Sequence, residues 1–493
     1  MGTHYVSHWF DGFAHSHKFD ILPSSDQDGG VTVMYSSRRQ AEAFVEEIRR
    51  NGWRSSTSFA QRADPCVGIF SKAMSVFKPA QRNNSVVIER NVPGLQTAAE
   101  PITRTGTRNI FVMTDHSVVH EVHPETLEPV AYSDVSKFHP ELTGQLCCAH
   151  SQRDPETGDL FNFNLLFGRR PVYRVFRVSA STGKTDILAT IPMPELKPAY
   201  IHSLFLTENY VVLCVPSSHF AWNGLKIVWI GNVVEAIEPF DKSKLSQWVV
   251  IDRRHGKGVV ARFTTPAGFF FHSVNAFEEE DEGRTYLNFD LVEYENCDII
   301  DSFYYDVILD RKGAAKSHWV DKQGYNTCRQ HLVRYRFCMP PSSSTSEDPP
   351  SQPSPTSPLP PAEKIISVPA PHSGELPTIN PAYATRPHRY VYGTCFRGLS
   401  TMMDSLCKTD TLTREALVWA PPASHTPGEA VFVGRPGAVD EDDGVLLSVV
   451  LDGTAQTSYL VCLDAQTMTE LGRAECEFAV GLGFHGVHAP NVS

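Results

Sequence analysis

A chain of 493 residues can hold two or three ordinary domains or one large propeller, and its formal charge of −12 comes without any dense Lys/Arg stripe, which excludes a nucleic-acid-binding surface. Its 11 cysteines are an odd number, scattered apart from Cys147 and Cys148 and without a CxxC pair, which argues for buried thiols of a reducing compartment rather than a disulfide framework. No apolar leader and no run of 18 apolar residues is present, so the expected location is cytoplasmic or peripheral to a membrane.

In chain order, HWFDGFAHSHKFDI (8–21) comes first, and RRQAEAFVEEIRRNG (38–52) then carries helical spacing with Gly52 as a C-cap. A weaker helix is expected over DKSKLSQW (241–248). Most of the rest is β-rich: LFNFNLLF, VYRVFRV, WVVID, VVARF, GVLLSVV and SYLVCL have the Val, Phe, Tyr, Leu and Ile content of buried strands. Between such runs recur turns that begin at His123, Asp154, Ser179, Asp252, Asp410 and Asp464. Repeated hairpins predict an all-β radial fold, a β-propeller whose inner strands converge on an axis. The tract PPSSSTSEDPPSQPSPTSPLPPAE (340–363) has a disordered composition and reads as an insertion within one domain spanning 1–493.

Four histidines stand beside strand-like runs in separate segments: His150 in CAHSQRDPETG, His202 in YIHSLFLTENYVV, His272 in FFFHSVNAFEEE and His485 in GFHGVHAP. A ring of strands can bring all four to one ion. Neutral imidazole suits iron, copper, nickel or zinc, and a set without thiolate or carboxylate argues against magnesium or calcium. For any single histidine the competing reading is a hydrogen-bonded strand residue. The same reading is preferred for the clusters His116, His120, His123 and His8, His15, His17, and His488 is set aside in favour of His485. No nucleophile elbow, GxGxxG, Walker-type loop or HExxH supports a hydrolase or a nucleotide-dependent enzyme.

The wording around the four histidines resembles that of the carotenoid cleavage oxygenase family, from about residue 5 to the C-terminus. The resemblance implies a seven-bladed β-propeller, with a few helices and loops capping the active-site face, and Fe(II) held by His150, His202, His272 and His485. It also implies acidic residues behind three of these. Glu375 in GELPTIN and Glu429 in PGEAVFV match directly, while Asp115 stands where the family usually has Glu. Asp is one methylene shorter and is expected to reach its histidine poorly, or through a water.

The implied reaction is O2-dependent cleavage of a conjugated C=C bond to two carbonyl products. Similarity is greatest to the animal and fungal β-carotene-type branch, so the expected substrates are torulene, β-carotene or an apocarotenoid. A stilbene-cleaving member would carry Lys before the first acid, where this chain has Thr114. An impaired relative that binds carotenoid without turnover, and an isomerising member, are the other readings. Phe220, Trp222, Leu225, Ile227 and Trp229 fall where family members have an apolar membrane and substrate-entry patch; the competing reading is a core strand pair. HWFDGF matches a family segment normally preceded by several tens of residues, so Met1 is expected to begin inside the pattern.

Overall fold

The computed structural model describes residues 5–24, 30–51, 57–62, 83–95, 103–341 and 358–491. Six antiparallel sheets of four or five strands follow one another along the chain, over 87–134, 152–192, 205–265, 269–369, 375–419 and 425–475. Each is a blade whose strands pair largely in sequence order. The described residues form six blades, not the expected seven: their remaining sheet is a two-stranded hairpin, His15–Pro23 with Val31–Arg39. This hairpin bridges the two ends of the ring. Lys18 and Arg38 pair with Glu125 and Glu128 of the first blade, and Tyr35 packs on Phe478 beyond the last strand of the sixth. Composition and periodicity mark strands but cannot count blades; the expectation of seven rested on the family resemblance alone.

First strands of neighbouring blades run side by side. His150 and Ser203 form a parallel bridge, and Ser203 Oγ donates to Phe271 O at 2.9 Å while accepting from Ser273 N at 2.8 Å. This convergence carries the segments before and within the first strands to a common axis.

All six turns expected from the sequence are built on their first side chain. Asp154, Asp410 and Asp464 accept from the main-chain N–H two residues on, at 2.8, 2.9 and 3.0 Å; Asp252 and Ser179 accept three residues on, and His123 Nδ1 accepts from Glu125 and Thr126. A side-chain acceptor at the turn start replaces a main-chain partner and fixes the reversal. Asp452 makes a further turn of this kind, accepting from Thr454 N at 2.8 Å.

A helix spans Glu42–Asn51, inside the expected range; its cap Gly52 lies outside the described residues. The helix expected over 241–248 is instead a turn leading into the strand Ser246–Asp252. Tertiary packing overrides the local pattern there. Trp248 is buried and stacks on Phe263 at 5.2 Å, which demands an extended backbone between two neighbouring strands. Of the Pro/Ser tract, 342–357 lie outside the described residues. Its end is ordered: Thr264 N donates to Pro360 O, Ala362 N donates to Thr264 O, and Glu363 opens the strand Glu363–Pro369.

Near the N-terminus, Asp11 accepts from Phe59 N and Ala60 N at 2.9 and 2.7 Å. His8 is fully buried, its Nε2–H donating to Ile300 O and its Nδ1 accepting from Phe10 N. These bonds pin Trp9 and Phe10 across the axis end of the ring, against Phe303 and Phe484.

Candidate metal centre

His150 precedes the first strand of the second blade, His202 precedes that of the third, His272 lies in that of the fourth, and His485 comes from the C-terminal segment. Their ligand atoms all lie within 4.8 Å of one another. Ring centroids of His150 are 4.8, 4.9 and 4.3 Å from those of His202, His272 and His485. None of the other clusters weighed in the sequence forms such a group among the described residues.

Three rings are held from behind. His202 Nδ1 donates to Asp115 Oδ2 at 2.8 Å, His272 Nδ1 to Glu375 Oε2 at 2.5 Å, and His485 Nδ1 to Glu429 Oε1 at 2.8 Å. An acid on Nδ1 fixes the tautomer that leaves Nε2 bare and raises its basicity. Contrary to the expectation for a shorter side chain, Asp115 reaches His202 directly. It does so because it sits in the turn after the strand Ile110–Met113 and is drawn in by Ala149 N, which donates to Oδ1 at 3.0 Å.

The donor set fits a divalent transition metal. His150 Nε2 is buried with no hydrogen-bond partner, and His272 Nε2 faces His485 Nε2 at 3.3 Å, an arrangement of lone pairs that a cation would resolve. Burial, then the neighbouring histidines, hold the His150 pKa well below the ordinary imidazole value. Burial also lowers that of His272, against the opposing pull of Glu375. Both rings are therefore kept neutral, the form that binds a metal.

Beside the rings of His202, His272 and His485 opens a cavity of about 100 Å³, lined by Phe10, Phe59, Phe271, Phe303, Phe484 and Met403 among others. Sequence reading missed these walls, since aromatic residues spread over five segments look like ordinary core. It also missed Tyr200, whose hydroxyl donates to Asp115 Oδ2 at 2.9 Å. Strand alternation was the available signal: two residues before His202, Tyr200 shares its face.

The apolar stretch after the second histidine motif is a 3-10 turn, Ala221–Gly224, and a helix, Leu225–Ile230, rather than a strand pair. Gly224 has φ +86°, and a Cβ there would fall inside the Phe167 ring, so only glycine fits. Trp222, Leu225 and Trp229 are 61, 46 and 74 % exposed. Phe220 and Ile227, expected with them at the surface, are buried: Phe220 packs on Phe167, and Ile227 faces the core from the inner side of the helix. Among the described residues no helix is long and apolar enough to cross a membrane.

Residues 1–490 match the family described as retinal pigment epithelial membrane protein. Torulene dioxygenase of Fusarium fujikuroi is 50% identical over 505 residues, covering 99% of this chain and 85% of that protein. Carotenoid dioxygenase of Neurospora crassa is 50% identical over 520 residues, covering 99% and 83%. Among solved structures, a point variant of apocarotenoid oxygenase from Synechocystis superposes with a TM-score of 0.70 at 21% identity, covering 98% of this chain and 88% of that one, and shares the propeller fold. The chain belongs to the retinal pigment epithelial membrane protein family, that of the carotenoid oxygenases.

Proposed function

We propose that this protein is an Fe(II)-dependent dioxygenase that cleaves one conjugated C=C bond of a carotenoid, torulene first among the candidates, with O2, giving two aldehydes and placing one oxygen atom in each. The observation that carries this reading is the convergence of His150, His202, His272 and His485, the last three of which line an aromatic-walled cavity. The 50% identity to a torulene dioxygenase and a carotenoid dioxygenase over nearly the whole chain supports the substrate class.

Iron(II), when bound, supplies the activation of O2. The chain's own part is positioning. Asp115, Glu375 and Glu429 hold three Nδ1–H groups, so the Nε2 atoms of His202, His272 and His485 are kept free to face the ion. Phe10, Phe271, Phe303 and Phe484 exclude water and offer π faces to a polyene, which has nothing to hydrogen-bond. The bond that is cut is then the one lying nearest the four rings, and the depth to which the polyene enters decides it. Between adjacent double bonds such contacts discriminate by about 1–3 kcal/mol each.

Thr114 lines the same cavity and gives a phenol no ammonium partner, which disfavours a stilbene. The direct Asp115–His202 bond favours a competent enzyme over a relative that only binds. Trp222, Leu225 and Trp229, beside Lys226, suit a surface that rests on a membrane and draws lipophilic substrate from it.

The test is anaerobic loading with Fe(II), then O2 with torulene, β-carotene or an apocarotenoid, resolving products by chromatography and mass. Two aldehydes from torulene are expected. Iron near one per chain with no product from any polyene would replace the enzyme with a binding relative.

A further inference from the structure

Asp115 has more donors than its place behind His202 requires. Oδ1 accepts from Ala149 N at 3.0 Å, in the residue before His150, and lies 3.0 Å from His202 Nδ1, while Oδ2 accepts both from His202 Nδ1 at 2.8 Å and from Tyr200 Oη at 2.9 Å. Those last two donors are 3.3 Å apart and share one oxygen. Glu375 and Glu429 are each steadied by a main-chain N–H, from Leu376 at 3.0 Å and Gly486 at 2.7 Å. Asp115 receives a main-chain N–H and a phenol.

The phenol is the rigid partner. Tyr200 N donates to Ser218 O at 3.0 Å and Tyr200 O accepts from Ser218 Oγ at 2.8 Å, so its main chain is pinned on both sides. Its ring is 1 % exposed, packed edge-on to Phe59 at 5.5 Å and stacked over Phe269 at 6.1 Å. A hydroxyl fixed this way sets the position of its acceptor. A side chain with one methylene fewer than Glu has less reach, and a change of rotamer about its Cα–Cβ bond would carry both oxygens away from His202.

We infer that Tyr200 is a positioning residue of the metal centre: its hydroxyl holds the short Asp115 carboxylate in the rotamer that orients His202, so that Tyr200 and Asp115 act as one unit. This rests on the four-histidine reading of the centre. It makes the aspartate workable where one carbon less of reach would otherwise leave His202 free to turn.

Co(II) affinity of the full-length protein, measured by competition with a chelator, is the readout, independent of turnover. Tyr200→Phe removes one atom and keeps the ring contacts; it is expected to weaken Co(II) binding about tenfold. In an Asp115→Glu background, where the longer acid reaches His202 unaided, Tyr200→Phe is expected to change affinity by less than about twofold. Unchanged affinity of Tyr200→Phe overturns the inference. An equal loss in both backgrounds overturns it too, since a general packing role predicts that. His202→Ala separates the underlying reading: wild-type Co(II) affinity in that variant rejects the four-histidine centre itself. If Tyr200→Phe does not fold, a crystal structure of the cobalt-loaded wild type decides. Tyr200 Oη within hydrogen-bond distance of Asp115 supports the inference, and a hydroxyl turned away overturns it.

Discussion

His272 Nε2 and His485 Nε2 face each other at 3.3 Å while each ring's Nδ1–H is committed to a glutamate, so two lone pairs meet with no proton between them. Glu375 and Glu429 set both tautomers, and a cation is the natural occupant of the space between the rings.

Metal loading is therefore expected to stabilise the fold. At a free concentration a hundred times Kd, linkage amounts to about 2.7 kcal/mol. Thermal unfolding followed by calorimetry in Fe(II) or Co(II) should show a raised midpoint, and His202→Ala should remove the shift. A wild-type midpoint indifferent to both metals would count against the centre.

Glu375→Gln should weaken metal binding by about 10- to 100-fold and lower turnover with it. The pair Glu375–His272 is buried at 2.5 Å, and an amide can present an N–H to Nδ1 in place of an acceptor, leaving the tautomer unspecified. Glu429→Gln should cost less, because Glu429 is the more exposed of the two. Chelator competition on the two variants orders them.

Trp222→Ser and Trp229→Ser together should reduce co-sedimentation with phosphatidylcholine vesicles while leaving metal affinity as in the wild type. Both side chains are largely exposed while Ile227 makes the core contacts of the helix, so their loss removes apolar surface from water at little cost to the fold. Unchanged sedimentation would count against a membrane-resting role for this surface.

His8 makes stability depend on pH. Burial pushes its pKa down to about 4, and its ring must stay neutral because Nδ1 accepts from Phe10 N while Nε2–H donates to Ile300 O. The unfolded chain takes up a proton near pH 6.5 that the fold refuses until about 4. The stabilisation is complete above pH 6.5 and declines as pH falls towards 4, by about 3 kcal/mol for this residue. Urea midpoints at pH 7.5 and 5.0 should differ less in His8→Gln than in the wild type.

Much of this was legible in residue order. Each of the turns that begin at Asp154, Asp410 and Asp464 depends on a side chain bonding two residues ahead, and His150, His202, His272 and His485 sit in motifs whose wording is local. So do Glu375 and Glu429. Such features need only short-range chemistry, and the chain states them directly. Three-dimensional packing settled the rest. Whether strands form six blades or seven depends on which edges meet, and only the hairpin His15–Pro23 with Val31–Arg39, bridging first and last blades, answers that. Trp248 turned an expected helix into a strand because its ring had to stack on Phe263. Gly224 against Phe167 sent Phe220 and Ile227 inward and left Trp222 and Trp229 outside. Finally, the reach of Asp115 was misjudged from side-chain length alone, because length says nothing of where a backbone lies; Ala149 N and Tyr200 Oη, from two other segments, put that carboxylate against His202.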